Sequence, residues 1–333
     1  DERGFPKNIV LRNKSANVIS DAFRMFYVFT KWIKKIRPDV IHAHYAFSSG
    51  FLAAITKPIH KAPVVITSHG EDILLNREIN LGMRIGKTKN ILIKFTIRNC
   101  GRHILVSNSM KEAAKEAGSD EEKIQIIYNM YIPSDAKVTE EDVENVKIKY
   151  SIPLDKQIIL SVSRLHAQKG LRYLVEAMEG IVKEHPDAFL VIAGDGEERE
   201  TLEKLVKEKG LESDVKYTGF IDDWEKQALT KSCDIFCMPS VEEAFGIALF
   251  DPMYYSKPIV ASDVGGMPEL LGGSNTLVRK KDPVALSKAI VKLLSSATRA
   301  GQNGHDRLKY FYPDVIVEQY EEVYRSLVPI QGD

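Results

Sequence analysis

The sequence predicts an α/β protein of two domains, each with a parallel β-sheet covered by helices. Short apolar, β-branched segments alternate with segments of helical periodicity along most of the chain, a pattern typical of parallel sheets with helices on both faces. The chain has 333 residues, whereas one domain usually takes about 100–200. A polar stretch near the middle interrupts the alternation, so the two sheets are expected to lie in separate halves.

The candidate strands are short and bounded by turn residues, as expected for strands buried on both faces of a sheet. They lie at residues 39–43, 64–68, 103–107, 124–127, 158–162, 189–193, 215–218, 235–238 and 259–261. In an open parallel sheet, ligands bind beyond the carboxyl ends of the strands. The residues that directly follow each strand are therefore the first candidates for a functional site.

The polar segment at residues 135–153 is compatible with a short solvated helix or with a linker. The strand pattern restarts after it, so we assign residues 1–150 to a first domain and residues 151–311 to a second. Residues 312–330 are assigned to an amphipathic C-terminal helix, which we expect to pack back on the first domain.

Composition places the chain among globular proteins, because 44% of its residues are hydrophobic and 28% are charged. The net charge is zero, yet residues 1–118 carry 20 Lys and Arg against 9 Asp and Glu. This asymmetry indicates either a basic contact surface or two domains that simply differ in charge. Three cysteines argue against a disulfide scaffold and favour a reducing compartment, so a cytoplasmic location is predicted.

Two permanent cations lie on the segment that follows the candidate strand 158–162. Arg164 and Lys169 stand five positions apart, and Gly170 follows directly. Arginine presents a planar fork and lysine a mobile charge, and both suit a diphosphate. The simpler interpretation is a solvated loop with two incidental cations, and this segment alone does not decide between them.

Two acids follow the candidate strand 235–238. Glu243 is predicted on the loop and Asp251, eight positions later, on the next helix. Carboxylates accept hydrogen bonds from sugar hydroxyls, whereas backbone N–H groups near Gly246, at the start of that helix, suit an anion. The simpler interpretation is a helix whose first turns carry acids because the macrodipole favours them.

Together these residues resemble the retaining glycosyltransferases of family 4, which have the GT-B fold. Arg164, Lys169, Glu243 and the acid eight positions beyond it carry the resemblance. Segments at 191–197, 217–220, 257–261 and 265–269 also match and occur in the family's order. The resemblance implies two Rossmann-like domains whose parallel sheets face each other across a cleft, the first on the acceptor side and the second binding the nucleotide sugar.

The resemblance also implies an activity, the transfer of a sugar from a nucleoside-diphosphate sugar to an acceptor hydroxyl with retention of configuration. UDP is expected ahead of GDP or ADP. The acceptor is expected to be a carbohydrate, a lipid-linked molecule or a small molecule. No metal and no cofactor besides the donor substrate are implied, and no nucleic-acid partner is predicted.

Site roles follow from the matched positions of that family. Arg164 and Lys169 would neutralise the departing diphosphate, and Glu243 would hold hydroxyls of the donor sugar. The residues assigned to catalysis are His69, Arg164, Lys169 and Glu243. The residues assigned to binding of the donor are Arg164, Lys169, Gly194, Phe245, Gly246, Ile247 and Asp251.

The first half of the chain matches the family more loosely, at residues 39–44 and 67–72. The family has a histidine in the cleft near the donor sugar, and this position corresponds to His69. The alternative is a loop histidine that caps the end of a strand. His42 and His44 alternate on one strand face, but no third ligand stands at a suitable spacing for a metal. They are therefore assigned to packing and to lining the acceptor side.

Three departures from the family are visible. Tyr128, Asn129 and Met130 stand where the family usually has Pro-Asn-Gly, so the asparagine keeps its position but the flexible glycine is lost from the cleft. Asp251 stands where the family has a glutamate, so its contact with the ribose is expected to be weaker, bridged by water or lost. The strand, glycine-rich loop and helix with which family members begin are not recognised, so a shortened first domain is expected. A nucleotide-sugar-binding relative with little or no turnover is therefore the main alternative, and a nucleotide-sugar epimerase is another.

The basic first half also suggests a membrane contact. Residues 24–37 interleave aromatic side chains with lysines, and more cations follow on a second predicted helix at residues 84–98. Basic amphipathic helices can lie on anionic membranes. Peripheral contact with the inner face of a membrane is one expectation, and a core face opposite a cationic solvent face is the other.

Overall fold

Two parallel sheets form the framework of the protein, whose computed structural model describes residues 18–134, 137–273, 275–296 and 302–328. The first sheet contains β1 (Ile41–His44), β2 (Val64–Ser68), β3 (Arg102–Leu105) and β4 (Ile124–Ile126), in the order β1-β2-β3-β4. The second contains β5 (Gln157–Val162), β6 (Ala188–Ala193), β7 (Val215–Gly219), β8 (Ile235–Met238), β9 (Ile259–Ser262) and β10 (Thr276–Val278), in the order β10-β9-β8-β5-β6-β7. All strand pairings in the two sheets are parallel, so the predicted fold class is confirmed.

Helices connect and cover these strands. They are α1 (Val18–Ile36), α2 (Ser49–Ile55), α3 (Lys57–His60), α4 (Lys87–Asn99), α5 (Lys111–Glu116), α6 (Glu140–Lys149), α7 (Leu171–Glu184), α8 (Arg199–Glu208), α9 (Asp223–Ser232), α10 (Phe250–Tyr254), α11 (Met267–Leu271), α12 (Pro283–Leu294), α13 (Gln302–Arg307) and α14 (Pro313–Leu327). Short 3-10 helices occupy several loops, including Ala167–Lys169 and Ile247–Leu249. Among the residues described, no helix combines the length and the apolar character needed to cross a bilayer.

The polar segment that interrupts the strand pattern contains a helix, α6. Thr139 caps it, because its hydroxyl accepts from the Asp142 amide at 3.1 Å while the Asp142 carboxylate accepts from the Thr139 amide at 2.8 Å. Helix α6 packs against α9 of the second half. Its last residue, Lys149, pairs with the buried Glu225, which also accepts from the Tyr150 hydroxyl at 2.8 Å. The domain boundary near residue 150 stays a prediction.

The strand order of the second sheet reverses at β5. From there the chain runs outward through β6 and β7, then returns to place β8 on the opposite side of β5 and continues to β9 and β10. The loops after β5 and β8 therefore leave two neighbouring strands in opposite directions, at the carboxyl edge of the sheet. Such a switch point is where open α/β sheets bind ligands.

Helix α14 covers the first sheet, although it comes from the end of the described chain. Its side chains Ile316 and Val323 are buried against Val65, Ile104 and Ile127 of that sheet. The chain must therefore cross from the first half to the second and back again.

The two crossing segments touch each other. The Tyr131 amide, on the outward crossing, donates to the Phe311 carbonyl, on the return, at 2.7 Å. The Phe311 ring is buried and packs against Phe245 and Phe250 of the second half, with ring centroids 5.9 and 5.5 Å apart. Both crossings are thus anchored in the same aromatic cluster.

Gly265 lies in the loop after β9 and presses against the loop after β8. Its φ of +57° is left-handed, and a Cβ there would lie 1.5 Å from the Glu243 carbonyl oxygen. Gly210 has a similar φ of +65°, but a Cβ there would meet nothing within 4 Å. A side chain at Gly210 would thus meet only backbone strain, whereas a side chain at Gly265 would meet both backbone strain and a steric clash.

Substituting each glycine tests this close approach. Gly210→Ala should cost about 1–2 kcal/mol of unfolding free energy, the strain of a left-handed alanine. Gly265→Ala should cost several kcal/mol more, because the methyl group must displace the Glu243 backbone. Denaturant unfolding of both variants measures the difference. Equal losses would show that the loops after β8 and β9 can separate freely.

Candidate functional site

The switch point brings Lys169 and Glu243 into contact. Lys169 ends the 3-10 helix after β5, Glu243 lies on the loop after β8, and the Lys169 Nζ is 2.7 Å from Glu243 Oε2. Their side chains are only 17% and 11% exposed. Gly170 makes the approach possible, because a Cβ there would lie 2.2 Å from the Pro239 carbonyl oxygen. The pair is a partly desolvated charge-assisted hydrogen bond at the mouth of the sheet.

Arg164 reaches across to the first half of the chain. Its Nη2 lies 3.2 Å from Oε1 of Glu71, and both side chains are largely exposed. The loop that carries Arg164 packs on Gly194 after β6, where a Cβ would lie 2.0 Å from the Ser163 carbonyl oxygen. Arg164 and Gly194 are thus neighbours in the loops, as the resemblance implies. Glu71 was not singled out from the sequence, although it lies within the matched segment 67–72.

The segment from Phe245 to Ile247 lies between two cavities. Phe245 is buried and stacks against Tyr128 with ring centroids 5.6 Å apart. Gly246 has a φ of +103°, and Ile247 begins a 3-10 helix that precedes α10. Ile247 is 58% exposed and lines both a cavity of about 410 Å³ and one of about 540 Å³. It therefore marks the border between them.

Asp251 lies in the smaller cavity and is already engaged. Its carboxylate accepts from Gln227 Nε2 at 3.0 Å and from Lys226 Nζ at 2.9 Å, and Lys226 also pairs with Asp223 at 2.8 Å. Both partners lie in the first half of α9, beyond the Asp222 cap. Neither of these partners was singled out from the sequence. Asp251 is not in direct contact with the Lys169–Glu243 pair.

His69 follows β2 and faces the larger cavity. Its ring is hydrogen-bonded to the His44 ring, Nε2 to Nδ1, at 2.8 Å and packs against Tyr45 with centroids 5.0 Å apart. Burial first, and then the nearby His44, lower the pKa of His69 below its usual value, whereas the Asp72 carboxylate acts in the opposite direction. Among the described residues, the cavity that His69 faces is also lined by Tyr128, Asn129, Met130, Tyr320 and Tyr324.

Asp72 holds the His69 turn in place. It is completely buried and accepts hydrogen bonds from the His69 and Gly70 amides, the Ser68 hydroxyl and the Ala46 amide, at 2.7 to 3.3 Å. Four donors satisfy both carboxylate oxygens, so the buried charge is well compensated. The turn then reaches the second half, because a Cβ on Gly70 would lie 2.8 Å from the Ala244 Cβ.

The two halves meet at an interdomain seam, formed by Ser107, Asn108, Ser109 and Tyr128 of the first half with Ala244 and Glu269 of the second. The buried Ser107 hydroxyl donates to the Ala244 carbonyl at 2.7 Å. The Glu269 carboxylate accepts from the Asn108 and Ser109 amides, the Asn108 side-chain amide and the Tyr128 hydroxyl, at 2.9 to 3.1 Å. Sequence reasoning marked the segment 265–269 but did not predict these partners.

His42 on β1 is half-buried, and both of its ring nitrogens are hydrogen-bonded. Its Nε2 is 2.7 Å from the Thr67 hydroxyl and its Nδ1 is 2.7 Å from the Tyr324 hydroxyl of α14. Burial first, and then the neighbouring His44 and His69, lower the pKa of His42 to about 4. In the part of the chain that the structure describes, no group of three or more His, Cys, Asp or Glu side chains is arranged to hold a metal ion.

Two sequence families match the chain, one in each half. The family described as Glycosyltransferase Family 4 matches residues 5–134, and the family described as Glycosyl transferases group 1 matches residues 142–307. The second match contains the loops after β5, β6 and β8, and the first contains His69 and the first-half residues of the seam.

Individual proteins that are similar in sequence to this chain are also named as glycosyltransferases or as a glucosaminyl malate synthase. An uncharacterised glycosyltransferase of Methanocaldococcus jannaschii is 32% identical over 262 residues, which are 77% of this chain and 66% of that protein. The N-acetyl-alpha-D-glucosaminyl L-malate synthase of Bacillus anthracis is 28% identical over 300 residues, 87% of this chain and 75% of that protein.

Solved structures show the same fold. Anabaena HepE, crystallised with UDP and glucose, superimposes with a TM-score of 0.78 at 22% identity, covering 95% of this chain and 85% of that one. The framework of two parallel sheets is therefore shared with this solved structure. The chain is a glycosyltransferase with the GT-B fold, and its two halves match the family 4 and group 1 domains.

Proposed function

We propose that the protein transfers a sugar from a UDP-sugar to an acceptor hydroxyl with retention of configuration. The observation that carries the proposal is the Lys169–Glu243 pair, a cation and a carboxylate 2.7 Å apart at the switch point of the second sheet. The cation suits a diphosphate and the carboxylate suits sugar hydroxyls. One pair thus serves the junction between nucleotide and sugar.

The diphosphate would bind between Arg164, Lys169 and the backbone amides of Gly246 and Ile247. Arg164 pairs with Glu71 at the exposed mouth of the cleft, where an ion pair contributes little. A diphosphate carries more charge than one carboxylate and would replace Glu71 as the partner of the guanidinium. Gly194 allows the backbone after β6 to approach this loop, and Asp251 would lie toward the ribose.

UDP is the nucleotide that we assign to the donor. The support comes from Anabaena HepE, which was crystallised with UDP, with UDP and glucose, and with UDP-glucose. The shared fold supports a nucleotide site at the carboxyl edge of the second sheet in this chain as well. The identity of the sugar is left to experiment.

Catalysis would rest on positioning and on electrostatic stabilisation of the leaving group. The bond between the sugar C1 and the diphosphate oxygen breaks, and the acceptor oxygen bonds to C1 on the same face. The acceptor proton passes to a phosphate oxygen of the departing diphosphate. Arg164 and Lys169 supply the positive charge for that leaving group, so we propose that no metal is required.

The acceptor would occupy the cavity of about 540 Å³ that His69 faces. Its lining combines imidazole and phenol rings with the Asn129 side chain, a mixture that suits a hydroxylated ring better than a long apolar chain. We therefore propose a carbohydrate or another small polyhydroxylated acceptor. His69 would position the donor sugar from the first half.

A peripheral contact with an anionic membrane is a second proposal, and the exposed face of α1 and α4 supports it. Phe23 and Tyr27 on α1 are 73% and 65% exposed, and Ile91 on α4 is 66% exposed. Exposed lysines, including Lys31 and Lys34, lie on α1 itself. On α1 itself, Phe23, Tyr27, Lys31 and Lys34 recur at helical spacing, and a helix face that combines apolar and cationic side chains suits the interface of an anionic bilayer.

Calorimetric titration of UDP, GDP and ADP tests the donor site. UDP should bind, and Arg164→Ala should raise its Kd by roughly tenfold to a hundredfold, because a charge-assisted hydrogen bond is lost. Arg172→Ala is the matched control, since Arg172 pairs with Glu176 on the surface of α7, and it should bind UDP normally. The donor-site proposal fails if none of the three nucleotides binds, or if both variants bind UDP equally well.

Glu243→Gln tests the role of the carboxylate and the course of the reaction. Transfer from a panel of UDP-sugars to carbohydrate acceptors should slow by about tenfold to a hundredfold, because the amide lacks the charge that strengthens bonds to sugar hydroxyls. UDP itself should still bind. The anomeric coupling in the proton NMR spectrum of the product should match that of the donor.

Other outcomes of this assay would indicate one of the alternative functions or an inverting mechanism. An inverted anomeric centre contradicts the retaining mechanism. Nucleotide binding without transfer to any acceptor indicates a binding protein, and a change of the sugar in the absence of acceptor indicates an epimerase.

Vesicle pelleting tests the membrane proposal. The protein should sediment with phosphatidylserine-containing vesicles at low salt and less at high salt, because screening weakens the attraction. Changing Lys31 and Lys34 together to glutamate should abolish sedimentation. The same change at Lys204 and Lys207, on α8 of the second half, should not. Absence of binding at low salt contradicts the proposal.

A further inference from the structure

His44 lies beside His69 because β1 and β2 are neighbours in the first sheet. His44 is level with Thr67 in the parallel register, and His69 follows two residues later, just beyond the strand. The His44 Nδ1 and His69 Nε2 atoms are 2.8 Å apart, and the two rings are inclined by 24°. Two ring nitrogens at this distance form a hydrogen bond.

A hydrogen bond between two imidazoles holds a single proton. One nitrogen must donate and the other must accept, so the two rings cannot both be fully protonated while the bond exists. The proton position on one ring therefore determines that on the other. Each direction of the bond fixes one neutral form of His69: the Nε2–H tautomer when His69 donates and the Nδ1–H tautomer when it accepts.

His44 is the side chain that bonds to the His69 ring, because the nearby carboxylates are engaged elsewhere. Asp72, the nearest buried carboxylate, uses its oxygens on backbone amides and the Ser68 hydroxyl rather than on this ring. Tyr45 packs on one face of His69, and Glu71 is directed to Arg164. The His44 ring in turn stacks on His42 with centroids 4.6 Å apart.

Other titratable groups complete the environment. From α14, Tyr320 and Tyr324 face the same cavity, joined by Tyr128 from the loop after β4 and by Glu321 at its margin. The Tyr320 and Tyr324 rings lie 5.5 and 5.7 Å from the His42 ring. The groups on α14 therefore approach the histidine row at His42, whereas His44 contacts His69.

We propose that His44 is a positioning residue for His69, which it holds in one tautomer and keeps neutral by sharing a proton with it. This inference rests on the proposed function, which places His69 beside the donor sugar. A neutral ring with a fixed proton presents one defined hydrogen-bonding group to a sugar hydroxyl. A charged ring would instead compete with Arg164 and Lys169 for the diphosphate.

Nitrogen-15 NMR of histidine-labelled protein tests the inference without any substrate. The eight histidines can be assigned by single substitutions. In the wild-type protein, the His69 nitrogen shifts should report one tautomer over a broad pH range. Because burial and His44 lower the pKa of His69, the ring should become charged at a lower pH than an imidazole free in water.

His44→Phe should change both readouts. It keeps an aromatic ring beside His69 but removes the partner nitrogen and the positive charge that His44 can carry, so the His69 shifts should average between tautomers and its titration should move to higher pH. His44→Gln offers a neutral hydrogen-bonding group and should restore a single tautomer. His185→Gln, which removes a histidine bonded to Ser295 in the second half, should leave His69 unchanged.

The inference is overturned if His44→Phe leaves the nitrogen shifts and titration of His69 unchanged. UDP titration of the same variants keeps this result separate from the proposed function. His44→Phe should bind UDP normally, because the nucleotide contacts lie in the second half. A wild-type protein that fails to bind UDP contradicts the proposed function, whereas the NMR result stands independently of it.

Discussion

The loop that carries Glu243 is confined from several directions, and the geometry of the site depends on that confinement. Gly265 approaches it so closely that no side-chain atom fits between them, and Lys169 holds its carboxylate. From the first half, Gly70 packs on Ala244 and Ser107 donates to the Ala244 carbonyl. Because both halves contact one short loop, a displacement of either half displaces Glu243.

Polar and ionic contacts between the two halves also determine how the halves are held together. Glu269 of the second half gathers four donors from Asn108, Ser109 and Tyr128 of the first, while Arg164 pairs with Glu71 at the open mouth. The first set includes two backbone amides, which cannot turn away, so it fixes the register of the halves. The second joins flexible, exposed side chains and can yield to a ligand. The cleft is thus bordered by one fixed contact, at Glu269, and by one ion pair that a ligand can replace, between Arg164 and Glu71.

From the sequence, the residues that follow strands could be singled out as site candidates, but the side chains that they contact could not. Arg164, Lys169 and Glu243 could be assigned because each follows a strand, and parallel strands end at one edge. The partners of Asp251 could not, because Lys226 and Gln227 come from a helix whose apolar periodicity says nothing about its polar face. Glu269 was missed for a similar reason, since its partners lie about 160 residues away in the chain and hydrophobic patterning records no such pairing.

Helix α14 has a consequence for the way the protein is made. It covers one face of the first sheet with Ile316 and Val323, and its Tyr324 holds His42 on β1. During synthesis the first half leaves the ribosome before this helix does. Until synthesis reaches it, the nascent first domain lacks a layer of its core and keeps an apolar face open to chaperones. The histidines of the first sheet therefore gain their final surroundings only after the second half has been made, because the Tyr324 partner of His42 is synthesised after it.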